Sequence, residues 1–243
     1  MKGVILAGGN ATRLRPLTRV TNKHLLPVYD KPMIFYPINT LAQAGIKDVL
    51  LVMGGNNPGD FVRLLGDGKE FGLHEIHYTF QEGAGGIAQA LSLAEDFTDN
   101  DQLLVILGDN ILEDDISQAV KEFKKQEKGA KIFLKEVKRP ESYGVPRIEG
   151  KKITEIIEKP KNPPTNYAVV GVYMYDKDVF NVVKKLKPSA RGELEITDVN
   201  NHYIREGMMS YEILKGWWGD GGESFDSLLE AQNLAAEWGK RKR

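Results

Sequence analysis

The stretch Lys2-Gly3-Val4-Ile5-Leu6-Ala7-Gly8-Gly9 decides the fold class, because an apolar run ends there in a glycine pair. Residues Lys2–Leu6 predict a buried β-strand, and Gly8-Gly9 predict a tight turn at its end. Ligands bind open α/β sheets in the crevice beyond the carboxyl ends of the strands. Glycine has no Cβ atom, so the backbone at this turn can approach an anion and point N–H groups at it. The opening residues therefore predict an anion-binding loop at the edge of an α/β sheet.

Beyond this loop, short β-rich runs alternate with segments of helical period, which predicts a mostly parallel central sheet flanked by helices. The predicted strands are Lys2–Leu6, Val49–Met53, Ile76–Phe80, Leu103–Leu107, Lys131–Val137, Tyr143–Ile148, Lys152–Ile157, Ala168–Tyr175 and Ser210–Leu214. The predicted helices are one that holds Ile34, Ile38 and Leu41, then Phe61–Leu65, Gly86–Glu95, Ile116–Lys128, Lys177–Leu186, Ile196–Glu206 and Phe225–Trp238. We expect a single domain over residues 1–243 with an elaboration in its second half.

Composition excludes several classes of protein. The 243 residues carry a formal net charge of −1, so no overall basic field attracts nucleic acid or an anionic membrane. The chain has no cysteine, which excludes disulfides and cysteine nucleophiles and favours a cytoplasmic location. The run Val4–Ala7 is too short for a signal peptide, and no stretch approaches the roughly 20 apolar residues that span a bilayer. We therefore expect neither nucleic acid nor a membrane as a partner.

Cations follow the glycine pair closely. Arg13, Arg15 and Lys23 can hold phosphate oxygens, and the arginine fork matches two oxygens at once. The loop matches neither the Walker A pattern nor the Gly-x-Gly-x-x-Gly dinucleotide pattern. A plain turn with solvated arginines is the alternative that these residues leave open.

The wider sequence resembles the glucose-1-phosphate thymidylyltransferase family in blocks that cover nearly the whole chain. The first blocks are Gly8-Gly9-x-x-Thr12-Arg13-Leu14-x-Pro16-x-Thr18, Lys23-x-Leu25-Leu26-Pro27-Val28 and Lys31-Pro32-Met33. The later blocks are Gln81 with Gly86-Ile87-Ala88-Gln89-Ala90, Leu107-Gly108-Asp109-Asn110, Tyr143-Gly144-Val145, Glu158-Lys159-Pro160, Tyr167-Ala168-Val169 with Gly171, the run from Ala190 to Asp198, and Gly216-Trp217-Trp218-x-Asp220. Each block alone is weak, whereas their number and order are specific.

The resemblance implies a Rossmann-like nucleotidyltransferase fold, with a nucleotide-binding part at about 1–130 and a sugar-phosphate-binding part at about 131–243. It implies transfer of a deoxythymidylyl group from dTTP to glucose-1-phosphate, with Mg²⁺ as cofactor and pyrophosphate as second product. This reaction is the first step of dTDP-deoxysugar synthesis, for example of rhamnose. The alternatives are a uridylyltransferase, an enzyme for another sugar-1-phosphate and a non-catalytic nucleotide-sugar sensor.

Two aspartates are the candidate metal ligands. Asp109 follows the predicted buried strand Leu103–Leu107, so its carboxylate emerges at the ligand-binding edge, and Mg²⁺ prefers such hard oxygen ligands. Asp220 is a candidate only through the resemblance. By themselves, Asp109 is also compatible with a helix cap, and Asp220 with a turn residue.

The resemblance also implies roles for the remaining site residues. The catalytic set is Arg13, Lys23, Asp109, Lys159 and Arg191, with Arg13 and Lys23 on the triphosphate and Lys159 and Arg191 on the sugar phosphate. The nucleotide-binding set is Gly8, Ala11, Thr12, Arg13, Lys23, Gln81 and Gly86. The sugar-phosphate-binding set is Asn110, Gly144, Glu158, Lys159, Val169 and Arg191. Gln81 carries a donor and an acceptor on one amide, so it can pair with N3–H and O4 of thymine or uracil.

Two departures from the family pattern lie in loops. Ala11 stands where the family commonly has glycine, and alanine is strained there if the position requires positive φ. The run Gly221-Gly222-Glu223-Ser224 departs after Asp220, which makes the local loop geometry uncertain. The four histidines show no metal-binding spacing, and we interpret them as surface or locally hydrogen-bonded residues. A homo-oligomer, dimer or tetramer, is expected.

Overall fold

The predicted alternation of strands and helices runs through the computed structural model, which describes residues 1–9 and 11–241. The strands are β1 Lys2–Ala7, β2 Pro27–Val28, β3 Lys31–Pro32, β4 Asp48–Gly54, β5 Glu75–Gln81, β6 Leu103–Leu107, β7 Asn110–Leu112, β8 Ala130–Glu136, β9 Gly144–Glu149, β10 Lys152–Glu158, β11 Tyr167–Tyr175, β12 Met209–Ile213 and β13 Trp218–Asp220. The helices are α1 Phe35–Gln43, α2 Pro58–Leu65, α3 Ile87–Ser92, α4 Glu95–Thr98, α5 Ser117–Phe123, α6 Val179–Val183, α7 Ile196–Arg205 and α8 Phe225–Arg241.

A seven-stranded sheet forms the centre of the fold, in the order β12-β8-β11-β6-β1-β4-β5. The central strand β1 pairs in parallel with β4 and β6, and β4 pairs in parallel with β5. Only β11 runs against its neighbours, since it is antiparallel to both β6 and β8. The expectation of a mostly parallel sheet is therefore confirmed. The sheet contains strands from both predicted parts of the chain.

Helices cover both faces of this sheet, which explains why its central strands are apolar runs and not alternating sequences. In β1, Ile5 and Ala7 pack on the face covered by α1, α2 and α5. Val4 and Leu6 of the same strand pack on the opposite face, against α3, α6 and α7. Successive residues of a strand point to opposite faces, so one short run contributes to two cores.

A third, smaller core lies beneath α8. Leu228, Ala231 and Ala235 of this helix pack against Leu14 and Met33 of the first loop region. The antiparallel ribbon of β7 and β13 lies beside this core, with Ile111 contributing to it. These short strands were not predicted, because three residues carry too little periodicity to stand out from a loop.

Three predicted helices are shorter than their sequence pattern suggested. The Gly86–Glu95 helix is α3, which starts at Ile87 because Gly86 has a φ of 95°, outside helical range. The Ile116–Lys128 helix ends as α5 at Phe123, because the residues after it are exposed and offer no apolar face to bury. The Lys177–Leu186 helix is reduced to α6, and the residues after it form tight i→i−3 turns.

The first loop region is more ordered in its backbone than the predicted polar loop. It forms three 3₁₀ turns, Thr12–Leu14, Leu17–Arg19 and Lys23–Leu25, which bury Leu14, Thr18 and His24 respectively. Residues 12–25 therefore form a fixed platform beside the sheet edge. Across residues 1–9 and 11–241, no helix has the combination of length and apolar character that a membrane crossing requires.

Candidate active site

A cavity of about 360 Å³ opens at the sheet edge where β1, β5 and β6 end. The predicted site residues that line it are Gly8, Arg13, Lys23, Gln81, Gly86, Asp109, Asn110, Gly144, Glu158, Lys159, Val169, Arg191 and Asp220. Ala11 and Thr12 are not among the lining residues. The cavity thus unites residues that lie more than 200 positions apart in the sequence, and it lies where an open α/β sheet binds ligands.

The β7–β13 ribbon brings the two candidate metal ligands together. In its antiparallel register, Asp220 lies opposite Asn110, the residue after Asp109. The Gly221 N–H then donates to the Asp109 carbonyl oxygen at 3.0 Å. Asp220 therefore lies in β13 and Asp109 directly precedes its partner strand β7, and neither strand belongs to the main sheet.

Lys23 forms an ion pair with Asp109 on the cavity floor. Its Nζ lies 2.5 Å from Oδ2 of Asp109, and the Asn110 amide donates to the other carboxylate oxygen at 3.0 Å. Asn110 is itself held, because its Oδ1 accepts from the Gly171 N–H at 2.9 Å and from Trp218 Nε1 at 2.7 Å. Every oxygen of Asp109 consequently has a defined partner, which fixes the carboxylate in one orientation.

Burial and close charges shift the pKa values in this cluster in opposite directions. Burial raises the pKa of Asp109, but the charge and hydrogen bond of Lys23, with the hydrogen bond of Asn110 and the influence of His24, together outweigh it, so this pKa lies well below its ordinary value. Burial, and then the negative charge of Asp109, raises the pKa of Asp220 to about 7. Burial lowers the pKa of Lys23, but the charge and hydrogen bond of Asp109 together with the charge of Asp220 outweigh burial, and the net shift is upward. One carboxylate is thus held charged by the lysine while the second experiences repulsion.

His24 is a buried neutral base beside this cluster. Burial, and then the adjacent Lys23 charge, lowers the pKa of His24 from 6.5 to about 3. Its Nδ1 lies 2.7 Å from the Asn22 side-chain oxygen, and Asn22 donates in turn to the Gly54 carbonyl at 2.8 Å. The interpretation of a locally hydrogen-bonded histidine therefore applies to His24, which also lines the cavity.

The carboxylate pair suits a divalent cation of the magnesium type. Within the described part of the chain, no three His, Cys, Asp or Glu side chains converge into a group that could hold a metal alone. Asp109 and Asp220 supply two hard oxygen donors side by side, and Mg²⁺ commonly takes one or two carboxylates together with phosphate oxygens and water. A cation between them would also relieve the repulsion that raises the pKa of Asp220. The donor set fits.

Gln81 and Gly8 form one end of the cavity. Gln81 is buried at the end of β5, and its Nε2 donates to the Gly86 carbonyl at 3.1 Å and to the Gln89 side chain at 2.5 Å. Its Oε1 faces Gly8, where a Cβ atom would come within 2.4 Å. Both amide hydrogens are engaged within the protein, so Oε1 is the atom that remains to accept the N3–H of a pyrimidine. The donor predicted for O4 is not free in this arrangement.

Glu158 lies at the other end, where α7 fixes its orientation. The Thr197 hydroxyl donates to Glu158 Oε2 at 2.6 Å, and a Cβ atom on Gly144 would lie 3.6 Å from the same oxygen. The next residue, Lys159, has a φ of 45°, a left-handed conformation that is uncommon for a non-glycine residue. Such strain persists where the surroundings enforce it, which often occurs in functional sites.

Arg191 is surrounded by carboxylates near this end. It forms ion pairs with Glu195 at 2.8 Å, with Glu158 at 3.5 Å and with Glu193 at 3.8 Å. The guanidinium side chain is 45% exposed, so water screens these pairs. Glu195 makes the shortest of these pairs and thereby holds the candidate phosphate-binding arginine.

The two sequence departures have clear structural consequences. Ala11 has a φ of 45°, so this position is left-handed and alanine is strained there by roughly 1–2 kcal/mol. In the second departure, a Cβ atom on Gly222 would lie 2.2 Å from Asp109 Oδ2 and 2.6 Å from Lys23 Nζ. The following residue, Glu223, forms an ion pair with Arg13. The departing loop therefore packs directly against the candidate catalytic residues.

Sequence reasoning missed several residues that line the cavity. Thr197 belongs to a quoted block but had no role, and Trp218 likewise. Their hydroxyl and indole donors, in the same blocks as Arg191 and Asp220, were the available signal. Tyr173 of the predicted strand Ala168–Tyr175 had no predicted role, and it is buried in β11 yet also lines the cavity. Glu223 gave no signal, because an acidic residue in a glycine-rich loop is typical of a solvated turn.

Comparisons with known proteins find similar sequences and similar folds. The profile described as Nucleotidyl transferase matches residues 2–237. A glucose-1-phosphate thymidylyltransferase of Neisseria meningitidis is 46% identical over 238 residues, which cover 96% of this chain and 82% of that protein. A Bacillus anthracis structure assigned as a glucose-1-phosphate thymidylyltransferase, in complex with a sucrose, superposes with a TM-score of 0.92 at 53% identity, covering 97% of this chain and 95% of that one. A UDP-glucose pyrophosphorylase complexed with UDP-glucose has a TM-score of 0.84 at 25% identity, with coverage of 97% and 98%.

Proposed function

The chain belongs to the nucleotidyl transferase family, and we propose that it transfers the deoxythymidylyl group of dTTP to glucose-1-phosphate, giving dTDP-glucose and pyrophosphate. One observation carries the proposal for this site: the carboxylates Asp109 and Asp220 lie in a single cavity with Gln81 and Glu158. A base-recognising amide and a sugar-recognising carboxylate thus share the cavity with a metal-binding pair. In this proposal, the bond to be made lies near the cluster that stabilises charge.

The reaction needs no covalent enzyme intermediate. The phosphate oxygen of the sugar phosphate is already anionic near neutral pH, and it attacks the α-phosphorus of the nucleotide. A P–O bond forms to the sugar phosphate, the bond between the α-phosphorus and its bridging oxygen breaks, and pyrophosphate leaves with the electron pair. The protein therefore has to bring two anions together, and such positioning can lower a barrier by ~7–11 kcal/mol.

The cations of the cavity divide between the two substrates. We assign Arg13 and Lys23 to the triphosphate, and Lys159 and Arg191 to the sugar phosphate. Lys23 is already fixed on Asp109 at 2.5 Å, so it is preorganised for charge that develops on the leaving group. Arg191 exchanges its glutamate partners for phosphate oxygens when the sugar phosphate binds.

Asp109 and Asp220 would hold Mg²⁺, whose chemistry is to neutralise phosphate charge and align the reacting oxygens. Lys23 lies 2.5 Å from one oxygen of Asp109, beside the position that the cation would take. Asn110 donates to the other oxygen of Asp109 at 3.0 Å and orients the carboxylate. The chain's own contribution is therefore an oriented carboxylate pair and a lysine positioned next to it.

Uridylyl transfer is the second candidate, because the UDP-glucose pyrophosphorylase shares the fold over nearly the whole chain. Gln81 Oε1 can accept the N3–H of either pyrimidine, and its contacts do not involve the 5-methyl group of thymine. Discrimination by one methyl group is worth only ~1–3 kcal/mol. We therefore expect the site to prefer dTTP over UTP without excluding UTP.

Pyrophosphate release from dTTP and glucose-1-phosphate tests the proposal, measured with Mg²⁺ and with chelator, and with UTP and ATP in parallel. We expect Mg²⁺-dependent release that is fastest with dTTP. Asp109→Asn should lower the rate at least 100-fold, since it removes a charged ligand and leaves Lys23 unpaired. Asp67→Asn, an exposed aspartate paired with Lys69 outside the cavity, should leave the rate unchanged.

Two other outcomes would change the assignment. Equal rates with UTP would retain the mechanism and favour a general pyrimidine enzyme. Nucleotide binding without release from any sugar-1-phosphate would contradict catalysis and favour the non-catalytic sensor. The homo-oligomeric state, the cytoplasmic location and the supply of dTDP-glucose to deoxysugar synthesis stay predictions.

A further inference from the structure

Glu223 has a contact that the proposed reaction does not use. Its carboxylate forms an ion pair with the Arg13 guanidinium, and its carbonyl oxygen lies 3.5 Å from the same Nη1 atom of Arg13. Both side chains line the cavity. Arg13 is the arginine assigned to the triphosphate, so a carboxylate of the protein occupies the position of a phosphate ligand.

The backbone, and not Arg13, determines where Glu223 lies. On one side, the Gly222 N–H donates to Asp220 Oδ1 at 3.0 Å, and Gly222 packs against Lys23 and Asp109. On the other side, Ser224 and Ser227 exchange hydrogen bonds of 2.9 and 3.1 Å at the start of α8. Glu223 is therefore held between two anchored points at the edge of the cavity.

Arg13, by contrast, is free to exchange partners. Its backbone lies in the 3₁₀ turn Thr12–Leu14, which is fixed by the buried side chain of Leu14. Its own side chain is 56% exposed, and that of Glu223 is 28% exposed. Exposed ion pairs are weak, so an incoming phosphate with more than one anionic oxygen can replace the carboxylate.

We propose that Glu223 is an internal counter-ion of Arg13, which the terminal phosphates of the nucleotide displace on binding and which returns to Arg13 as pyrophosphate leaves. The proposal rests on the proposed function, which assigns Arg13 to those phosphates. Only ligands that reach Arg13 compete with Glu223, so the residue weakens binding of the triphosphate and of pyrophosphate. Glu223 has no effect on ligands that occupy only the Gln81 end of the cavity, where the base is proposed to bind.

The carboxylate therefore acts on product release as well as on substrate binding. Pairing of Arg13 with Glu223 lowers the fraction of protein that can bind pyrophosphate. The apparent dissociation constant of pyrophosphate rises by the same factor. An exposed ion pair corresponds to a factor of about two to five. Glu223 thus reduces retention of pyrophosphate without removing the arginine.

Calorimetric titration of the whole chain tests the proposal, with inorganic pyrophosphate, dTTP and thymidine at one fixed Mg²⁺ concentration. Glu223→Gln keeps the shape of the side chain and removes its charge. We expect it to lower the dissociation constants of pyrophosphate and dTTP about two- to fivefold and to leave thymidine, which has no phosphate, unchanged. Asp226→Asn is the matched control, since Asp226 is an exposed aspartate in the first turn of α8 outside the cavity.

The same substitution in a variant that lacks Arg13 separates an effect of the ion pair on pyrophosphate binding from a general effect of charge. In Arg13→Gln protein, Glu223→Gln should no longer tighten pyrophosphate binding, because the arginine that the carboxylate occupies is absent. Unchanged or weaker pyrophosphate binding in Glu223→Gln would overturn the proposal, as would equal tightening in Asp226→Asn or in the Arg13→Gln background.

The same titrations distinguish this inference from the proposed function. Wild-type protein that turns over dTTP, together with a Glu223→Gln variant of unchanged affinity, would overturn the counter-ion role alone. Wild-type protein that binds neither dTTP nor pyrophosphate would overturn both. Turnover with tightened pyrophosphate binding in the variant supports both.

Discussion

The floor of the cavity, here called the buried end, and the Glu158 end, here called the exposed end, hold similar charges in different surroundings. The Lys23–Asp109 pair has side chains that are 17% and 11% exposed, whereas Arg191 is 45% exposed among its three glutamates. At the first end every oxygen of the carboxylate has a fixed partner, while at the second end one arginine is shared by several acceptors. Burial, and not the number of charges, decides which ion pair is part of the framework and which can be exchanged for a ligand.

The energies of the two kinds of pair support this distinction. Breaking a buried pair by removing one partner typically costs ~3–5 kcal/mol, because the remaining charge is left without compensation. An exposed pair contributes ~0–1 kcal/mol, so a phosphate can replace its carboxylate at little cost. The comparison therefore predicts large effects of small changes at the buried end and moderate effects of a full charge removal at the exposed end.

The buried end should be most sensitive to a single methyl group on Gly222. In Gly222→Ala the new Cβ would lie 2.2 Å from Asp109 Oδ2 and 2.6 Å from Lys23 Nζ, so the pair must separate. Displacement of catalytic groups by about 1 Å can reduce the rate about 100-fold, and we expect a loss of that size in kcat. Steady-state pyrophosphate release measures it.

Gly59→Ala is the matched control, because a Cβ atom at Gly59 meets no atom within 4 Å. Gly59 lies in α2, where alanine is also the better helix former. Normal turnover in Gly222→Ala would show that the buried pair tolerates displacement, which would remove the contrast between the two ends.

The exposed end should respond in substrate affinity. Arg191→Gln removes one charged hydrogen-bond donor to the sugar phosphate, and such a bond contributes ~1.5–3 kcal/mol. We expect KM for glucose-1-phosphate to rise roughly 10- to 150-fold while kcat changes by less than about threefold, because the buried cluster is untouched. Initial rates over a range of glucose-1-phosphate concentrations separate the two parameters.

Arg147→Gln provides the comparison for this experiment, since Arg147 is an exposed arginine of β9 that pairs with Glu155 at 3.6 Å outside the cavity. It should leave both parameters unchanged. A loss confined to kcat in Arg191→Gln would place this arginine with the buried cluster and not with an exchangeable surface pair.

The smallest expected effect is a loss of folding stability at acidic pH that depends on His24, next to the buried end. The pKa of His24 is lowered from 6.5 to about 3, so the unfolded chain binds a proton below pH 6.5 that the folded chain does not. Stability from the neutral imidazole is fully present above pH 6.5 and is lost as pH falls towards 3. Between pH 7.5 and 5.5 this amounts to roughly 1.4 kcal/mol in the free energy of unfolding.

Urea unfolding of wild type and of His24→Gln at these two pH values measures the difference. The wild type should lose roughly 1.4 kcal/mol more than the variant, because groups common to both proteins cancel. His74→Gln, at an exposed histidine, should behave as wild type. Equal losses in wild type and His24→Gln would mean that His24 is protonated in the folded protein.

Much of the fold could be predicted from local sequence patterns. The helix bounds and the short ribbon could not, because they depend on structure outside those patterns. The buried run Leu103–Leu107 and the glycine pair after Lys2–Leu6 predicted the sheet edge, because each pattern is contained in a few adjacent residues. The bounds of α3, α5 and α6 were wrong, since they depend on the backbone at Gly86, on the loss of an apolar face after Phe123 and on tight turns after Val183, which helical periodicity does not encode. The β7–β13 ribbon joins residues about 110 positions apart, and no local pattern encodes that pairing.

The residues of the candidate site also divide into those that their neighbours in the sequence predicted and those that only distant pairing brings together. Asp109 could be placed from its strand, but Asp220 depended on resemblance, because its carboxylate reaches Asp109 only through the ribbon. The ion pair of Arg13 with Glu223, 210 positions apart, had no signal in either neighbourhood. The positive φ of Ala11 was raised as a question by the sequence and answered only by the backbone. The roles of these residues stay predictions.

The loop that carries Gly86 also touches the loop that carries Arg191. Leu194 N–H donates to the Gly85 carbonyl at 2.8 Å, and Ala88 N–H donates back to the Leu194 carbonyl at 3.1 Å. A Cβ atom on Gly86 would lie 2.5 Å from that carbonyl, so no side chain fits between the two loops. The base end and the sugar-phosphate end are thus one mechanical unit. Ordering of either loop by its own substrate reduces the entropy that the other substrate must remove, which is a source of positive cooperativity between unlike ligands.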